Sequence, residues 1–159
     1  MSSAALERMT GGGRMVAPLD YLKVYRAEPS DRIQIVKKGI SPWVAKSLVA
    51  DLAVEQAALF VALNLSTATV NRKVTRKEPL ASDEGERVVG VAKLVGQLQA
   101  IVEESGDSAS FDARAWISTW LREPLPALGG SRPLDLLDTM EGQALVSDAL
   151  ARVQSGAYA

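Results

Sequence analysis

Apolar residues recur at intervals of three and four along most of the chain, and strand-like alternation is absent beyond Arg26, so the pattern predicts helices. A start is marked at Ser41, whose hydroxyl can cap a helix that Pro42 enters without losing a needed hydrogen bond. Val44, Ala45, Leu48, Val49 and Leu52 then fall on one face of a helix over 42–52. Ahead of it, Ser30 is expected to cap a segment bearing Ile33, Ile35 and Val36 that stops at Gly39. Residues 55–63 read as a short helix with Ala58, Leu59, Ala62 and Leu63 facing inward. Asn64 ends it because Asn enters the left-handed backbone region more readily than most residues. Leu65 is placed to plug the core from the turn, and Ser66 to cap a thin helix over 67–76 whose apolar stripe is Val70 and Val74.

Pro79 marks a boundary, after which Ser82, Asp83, Glu84 and Glu86 supply a cap and first-turn acids for a long helix reaching about Glu104. Its seam of Val88, Val91, Val95, Leu98 and Val102 keeps a heptad rhythm that Leu94 and Ile101 widen. Gly85, Gly90 and Gly96 each cost about 1 kcal/mol in a helix interior, which close helix contact would offset. A further helix, capped by Ser110 or Asp112, carries Ala113, Trp116, Ile117, Trp120 and Leu121 to Pro124. Turns follow through Gly129 and Gly130, then a short helix opened by Pro133, then a last helix over 141–154 stopped by Gly156. The short segment 21–26 fits a strand or a helical turn equally. The expected class is all-α: residues 1–20 a flexible tail, 21–80 a helix-turn-helix domain, and 81–159 a second helical domain.

Composition narrows the chemistry. With 47% apolar residues in 159, the chain can bury a core, while the absence of Cys and His removes disulfides, thiolate metal sites, cysteine nucleophiles and the commonest general base. No apolar run reaches membrane-span length and Met1 to Thr10 lacks a signal-peptide pattern, so a cytoplasmic location with no membrane contact is expected. The net charge of −1 hides a split, +5 over residues 1–80 and −6 over 81–159. Two surfaces with different partners, one of them polyanionic, fit that asymmetry.

The basic part is concentrated. Over 55–77 a helix, a left-handed turn and a second helix have the layout of a helix-turn-helix, whose second helix enters the major groove. Arg72, Lys73, Arg76 and Lys77 would meet phosphates, and Thr67, Thr69 and Asn71 lie on the early turns from which base edges are read. Spacing alone leaves open the alternative that these cations only complement the helix dipole in solvent. Enzymatic signals are weak, and no cofactor or metal is expected. The clusters at Gly11–Gly13 and Gly129–Gly130 lack the Gly-Lys-Ser/Thr signature of a phosphate loop, and adjacent Glu103 and Glu104 point about 100° apart on a helix. Trp116 and Trp120, with Ile117 and Leu121, read as core.

Three stretches carry a family resemblance: Val36-Lys37-Lys38-Gly39-Ile40-Ser41-Pro42; the turn Leu63-Asn64-Leu65-Ser66 with Thr69-Val70-Asn71-Arg72; and the run from Trp120 through Leu121-Arg122-Glu123-Pro124-Leu125-Pro126-Ala127-Leu128-Gly129-Gly130 to Pro133-Leu134-Asp135-Leu136-Leu137. Thr139, Gly142, Val146, Leu150, Arg152 and Gly156 continue the last pattern. From Ser30 onward the chain resembles Xre/ParS-type antitoxins, which pair a helix-turn-helix domain with the MbcA/ParS/Xre toxin-binding domain. The C-terminal pattern is long and specific, and Asn64 departs from the Gly frequent in the family's turn. The resemblance implies a type II antitoxin that forms a homodimer through its C-terminal domain, neutralises a RES-domain toxin that consumes NAD, and represses its own operon by binding operator DNA. It also implies that the C-terminal end, here Gly156, Ala157, Tyr158 and Ala159, reaches into the toxin's nucleotide pocket. Tyr158 would supply a flat ring and Ala159 a carboxylate. A helix-turn-helix regulator whose C-terminal domain only dimerises, with no toxin, is the alternative.

Overall fold

A computed structural model of the protein describes residues 4–14, 18–106 and 110–155, and among them every regular element is helical. The α-helices are α1 (Ala4–Glu7), α2 (Tyr21–Arg26), α3 (Pro29–Lys38), α4 (Pro42–Leu52), α5 (Gln56–Ala62), α6 (Thr67–Arg76), α7 (Ser82–Glu104), α8 (Ala113–Trp120) and α9 (Met140–Ser155). Short 3-10 turns at Pro126–Leu128 and Pro133–Leu136 link the last two. The all-α class is as the pattern implies, and the undecided segment 21–26 is helical because Asp20 caps it by accepting the Lys23 N–H at 3.1 Å.

Local chemistry sets most boundaries. Ser41 caps α4 by accepting the Trp43 N–H at 3.2 Å, and Asp112, rather than Ser110, caps α8 by accepting from Ala115 at 3.2 Å. Two expected caps shift. Ser30 lies inside α3, which Pro29 opens, and Ser82 lies inside α7, where the Glu84 carboxylate reaches back to the Ala81 N–H at 3.0 Å. α9 begins one residue earlier than expected because the Thr139 hydroxyl accepts the Gly142 N–H at 2.9 Å.

α7 is the axis on which α2, α3, α4, α8 and α9 pack. α2 lies along it, and a Cβ added at Gly96 would sit 2.0 Å from the Tyr21 carbonyl oxygen, so a side chain there would block the approach. Gly90 is needed similarly, since its missing Cβ would meet the Gln143 amide of α9 at 1.7 Å. Close contact is therefore what two of the three helix glycines provide. Gln143 Nε2 donates to the carbonyls of Arg87 (3.0 Å) and Leu137 (2.9 Å). One turn further along α9, Gln97 and Ser147 exchange hydrogen bonds, Gln97 Nε2 to the Ser147 carbonyl at 3.0 Å and Ser147 Oγ to Gln97 Oε1 at 2.8 Å. These buried amides fix the register of α7 against α9 at two points.

Two expectations about organisation change. Residues 4–14 are packed against the body: Leu6 and Met9 are fully buried, the Ser41 N–H donates to the Met9 carbonyl at 2.7 Å, and Gly11 N–H donates to Gly39 at 2.9 Å. A flexible tail is thus corrected for this stretch; scattered small residues hid two apolar anchors whose partners lie thirty residues away. The lobes expected on either side of Pro79 also share one core, because a continuous cluster of buried side chains runs from Leu6 to Leu150. A polar link spans α2, α4 and α8: the Tyr21 hydroxyl donates to Asp51, whose other oxygen lies 3.4 Å from Arg114.

Candidate functional site

The helix, turn and helix foreseen over 55–77 are present as α5 and α6. Asn64 takes the left-handed conformation, with φ 54°, and Leu65 is buried just after it. Ser66 caps α6 by accepting the Thr69 N–H at 3.3 Å, and α6 is anchored by fully buried Val70. The inner face of α5 is rotated from the expected one: Leu59, Phe60 and Leu63 are buried while Ala58 is exposed. Phe60 wins because a large ring gains more from burial than an alanine methyl.

α7 holds this unit from beneath. Arg87, with 11% of its side chain exposed, donates from Nε to the Leu63 carbonyl at 2.7 Å and from Nη2 to Asn64 at 3.4 Å, satisfying carbonyls that the end of α5 leaves open. Lys73 of α6 pairs with Glu84 of α7 at 3.2 Å, and both side chains are about 15% exposed or less. The candidate DNA contacts therefore separate into groups. Thr67, Asn71, Arg72, Arg76 and Lys77 are exposed and Thr69 is half-buried, but Lys73 is committed to an internal ion pair. Arg72 and Arg76 hold no ion pair or hydrogen bond among the described residues, and Lys77 closes α6 in the left-handed conformation, φ 56°.

The fold adds cations that spacing along α6 could not reveal. Lys46 of α4 donates to Asn71 Oδ1 at 2.7 Å, so a bidentate contact from Asn71 to adenine would require Lys46 to share or release that oxygen. Trp43, one turn earlier on α4, carries the Arg14 guanidinium 5.2 Å from its ring centroid. Gly12 explains how the N-terminal segment reaches this side: a Cβ there would lie 1.8 Å from the Lys77 carbonyl oxygen, so only glycine fits against the end of α6. One surface thus gathers Arg14, Lys46, Arg72, Arg76 and Lys77 from three segments.

The toxin-contacting residues expected at Gly156, Ala157, Tyr158 and Ala159 lie outside the described residues; α9 ends at Ser155, immediately before them. Trp120 is buried and stacks on half-buried Trp116 with centroids 5.7 Å apart, as a core role requires. Glu103 pairs with Arg26 at 3.6 Å on the surface. Among the described residues no group of acidic side chains could hold a metal ion, and no helix is long and apolar enough to cross a membrane.

Comparison with known proteins supplies what geometry alone does not. Residues 97–156 match the model of the antitoxin Xre/MbcA/ParS C-terminal toxin-binding domain. A Sphingobium protein described as a Prs ADP-ribosylating antitoxin is 56% identical over 147 residues, spanning 92% of both chains. The chain belongs to the Xre/MbcA/ParS antitoxin family. More distant members agree: an antitoxin Xre of Yersinia enterocolitica is 25% identical over 126 residues, 79% of this chain and 80% of that one. An antitoxin Xre of Pseudomonas putida is 25% identical over 88 residues, 55% of this chain and 50% of its own length. The matched domain begins within α7 and takes in the last third of that helix, α8, both 3-10 turns and α9. The family's toxin-binding part is therefore packed directly on the helix that also holds the α5–α6 unit.

Proposed function

We propose that the chain is the antitoxin of a type II pair whose toxin is a RES-domain enzyme acting on NAD, and that it works by binding rather than by turnover. The observation that carries this is identity of 56% along nearly the full length with an antitoxin named for ADP-ribosylation, together with the toxin-binding domain over 97–156. ADP-ribosyl transfer draws its group from NAD, so an inhibitor of such a toxin has a dinucleotide pocket to block. In this reading Gly156, Ala157, Tyr158 and Ala159 leave the end of α9 and enter that pocket, the Tyr158 ring taking the place of a base and a carboxylate that of a phosphate. The same antitoxin forms a homodimer through its C-terminal region and represses its operon in the cytoplasm, presenting Thr67, Thr69, Asn71, Arg72, Arg76 and Lys77 of the α6 side to operator DNA.

The test is copurification with the product of the neighbouring gene, followed by an NAD consumption assay with and without this chain. Inhibition by the full chain, and its loss when Tyr158 and Ala159 are deleted while the complex remains folded, is the expected result. Full inhibition by the shortened chain would eliminate pocket insertion. A neighbour that neither binds nor consumes NAD would favour the regulator that only dimerises and binds DNA.

A further inference from the structure

A groove of about 540 Å³ runs between α3, α7 and α9. Its walls mix polar and apolar side chains, and some of the apolar ones are open to solvent: Ile33 of α3 is 54% exposed and Met140 of α9 is 38% exposed, with Val36, Leu94 and Ala144 also lining the groove. In the floor stands Lys93 of α7, half-buried and with no ion pair or hydrogen bond among the described residues. Burial first, and the Arg32 cation second, lower the Lys93 pKa. Arg32 is itself held by backbone oxygens, its Nη1 donating to the carbonyls of Val24, Tyr25 and Ala27 at 2.6 to 3.1 Å. Glu86 and Asp148 also line the groove, yet neither forms an ion pair with Lys93. A half-desolvated positive charge framed by exposed apolar side chains is unfavourable in the free protein and matches a ligand offering apolar surface around one carboxylate.

We propose that this groove is a second toxin contact, receiving an apolar segment of the toxin whose Asp or Glu side chain pairs with Lys93. The inference rests on the toxin-partner reading above and adds to it a surface remote in sequence from Gly156–Ala159. The occupant is argued from two observations. Charge complementarity calls for a single acid, because Arg32, Lys37 and Lys93 at the groove outnumber Glu86 and Asp148 by one. Continuity points to the toxin, because the α9 wall, Met140 and Ala144 included, belongs to the span matching the toxin-binding domain.

The experiment compares full-length wild type with Lys93→Glu, Lys93→Met and Ile33→Asp for affinity to the neighbouring toxin. Thermal melting, the mass of the free antitoxin in solution and operator affinity are followed in parallel. Lys93→Glu should weaken toxin binding at least about tenfold, as expected for reversing one member of a partly buried interfacial pair, with Lys93→Met weakening it less and Ile33→Asp also weakening it. Melting, mass and operator affinity should stay as in wild type. Wild-type toxin affinity in Lys93→Glu would overturn the proposal, and so would a fall in self-association with toxin affinity retained, which would assign the groove to a second copy of this chain. The two readings fail separately. If the toxin binds wild type and Lys93→Glu alike but not the Tyr158–Ala159 deletion, only the groove is lost; if wild type does not bind the toxin, both are.

Discussion

The division among the basic residues of α6 can be tested by salt dependence. Arg72 and Arg76 are exposed and without internal ion pairs, whereas Lys73 is held by Glu84 with about 15% of either side chain in contact with water. Each phosphate contact releases condensed counterions and contributes about 0.9 to the slope of log affinity against log salt. Replacing Arg72 and Arg76 together by Ala should thus lower the slope by about 1.8 per bound protomer. Over a fourfold rise in salt, the variant should lose about twelvefold less affinity than wild type loses. Because both side chains project into solvent, folding stability should change by no more than about 0.5 kcal/mol each. Lys73→Ala should do the reverse. It leaves Glu84 poorly hydrated and unpaired, costing about 1 to 2 kcal/mol, or a few degrees in Tm for a chain of this size, with little change in the salt slope. Fluorescence anisotropy with an operator fragment at several salt concentrations, beside thermal melts of the same three proteins, reads both quantities. An unchanged slope in the double variant, or a Lys73→Ala slope that falls as far, would refute the reasoning.

Two further outcomes follow from the packing on α7. Gly96→Ala gains about 1 kcal/mol of helix propensity but drives a Cβ to 2.0 Å from the Tyr21 carbonyl oxygen and 2.7 Å from the Tyr25 Cβ, so α2 must shift and overpacking should leave the protein about 1 to 2 kcal/mol less stable. A urea midpoint equal to or above that of wild type would contradict the close approach. Burial first, and Asp51 second, hold the Tyr21 hydroxyl far above the ordinary tyrosine value of 10.0, so the folded state keeps this proton more tightly than the unfolded state does. Its stabilising effect is intact below that value and declines as pH rises past it. Tyr21→Phe should therefore cost about 1 kcal/mol at neutral pH and flatten the fall of Tm above about pH 10, as a pH series of thermal melts would show.

What the residues disclose in advance depends on the distance over which each feature is decided. Ser41, Ser66 and Asp112 could be read as caps because a cap bonds to backbone two or three residues away, and Asn64 as a turn because its conformation is its own. The C-terminal run from Trp120 to Gly156 identifies the family because its turns impose residue types at fixed spacing. By contrast, Leu6 and Met9 lie among glycines and polar residues, and their burial is decided by Ile40 and its neighbours, to which the segment is hydrogen-bonded. The inward turn of Phe60 in place of Ala58 depends likewise on the floor beneath α5, since a seven-residue helix is too short for its own periodicity to fix a face.

The same distinction decides which charges face a partner. Within Arg72, Lys73, Arg76 and Lys77 the sequence offers four cations of similar type, and helical spacing cannot say which is turned inward until a second element is placed against α6. That element is the start of α7, where Glu84 takes Lys73 and Arg87 takes the carbonyls of Leu63 and Asn64. Part of the N-terminal excess of +5 is therefore spent holding α6 in place, and Lys46 and Arg14 restore positive charge to the exposed side from elsewhere in the chain. Lys93 shows the opposite case in the acidic half. A net of −6 there conceals a cation that forms no ion pair among the described residues, and only the arrangement of α3, α7 and α9 around it sets that position in a groove, where the proposed toxin carboxylate would meet it.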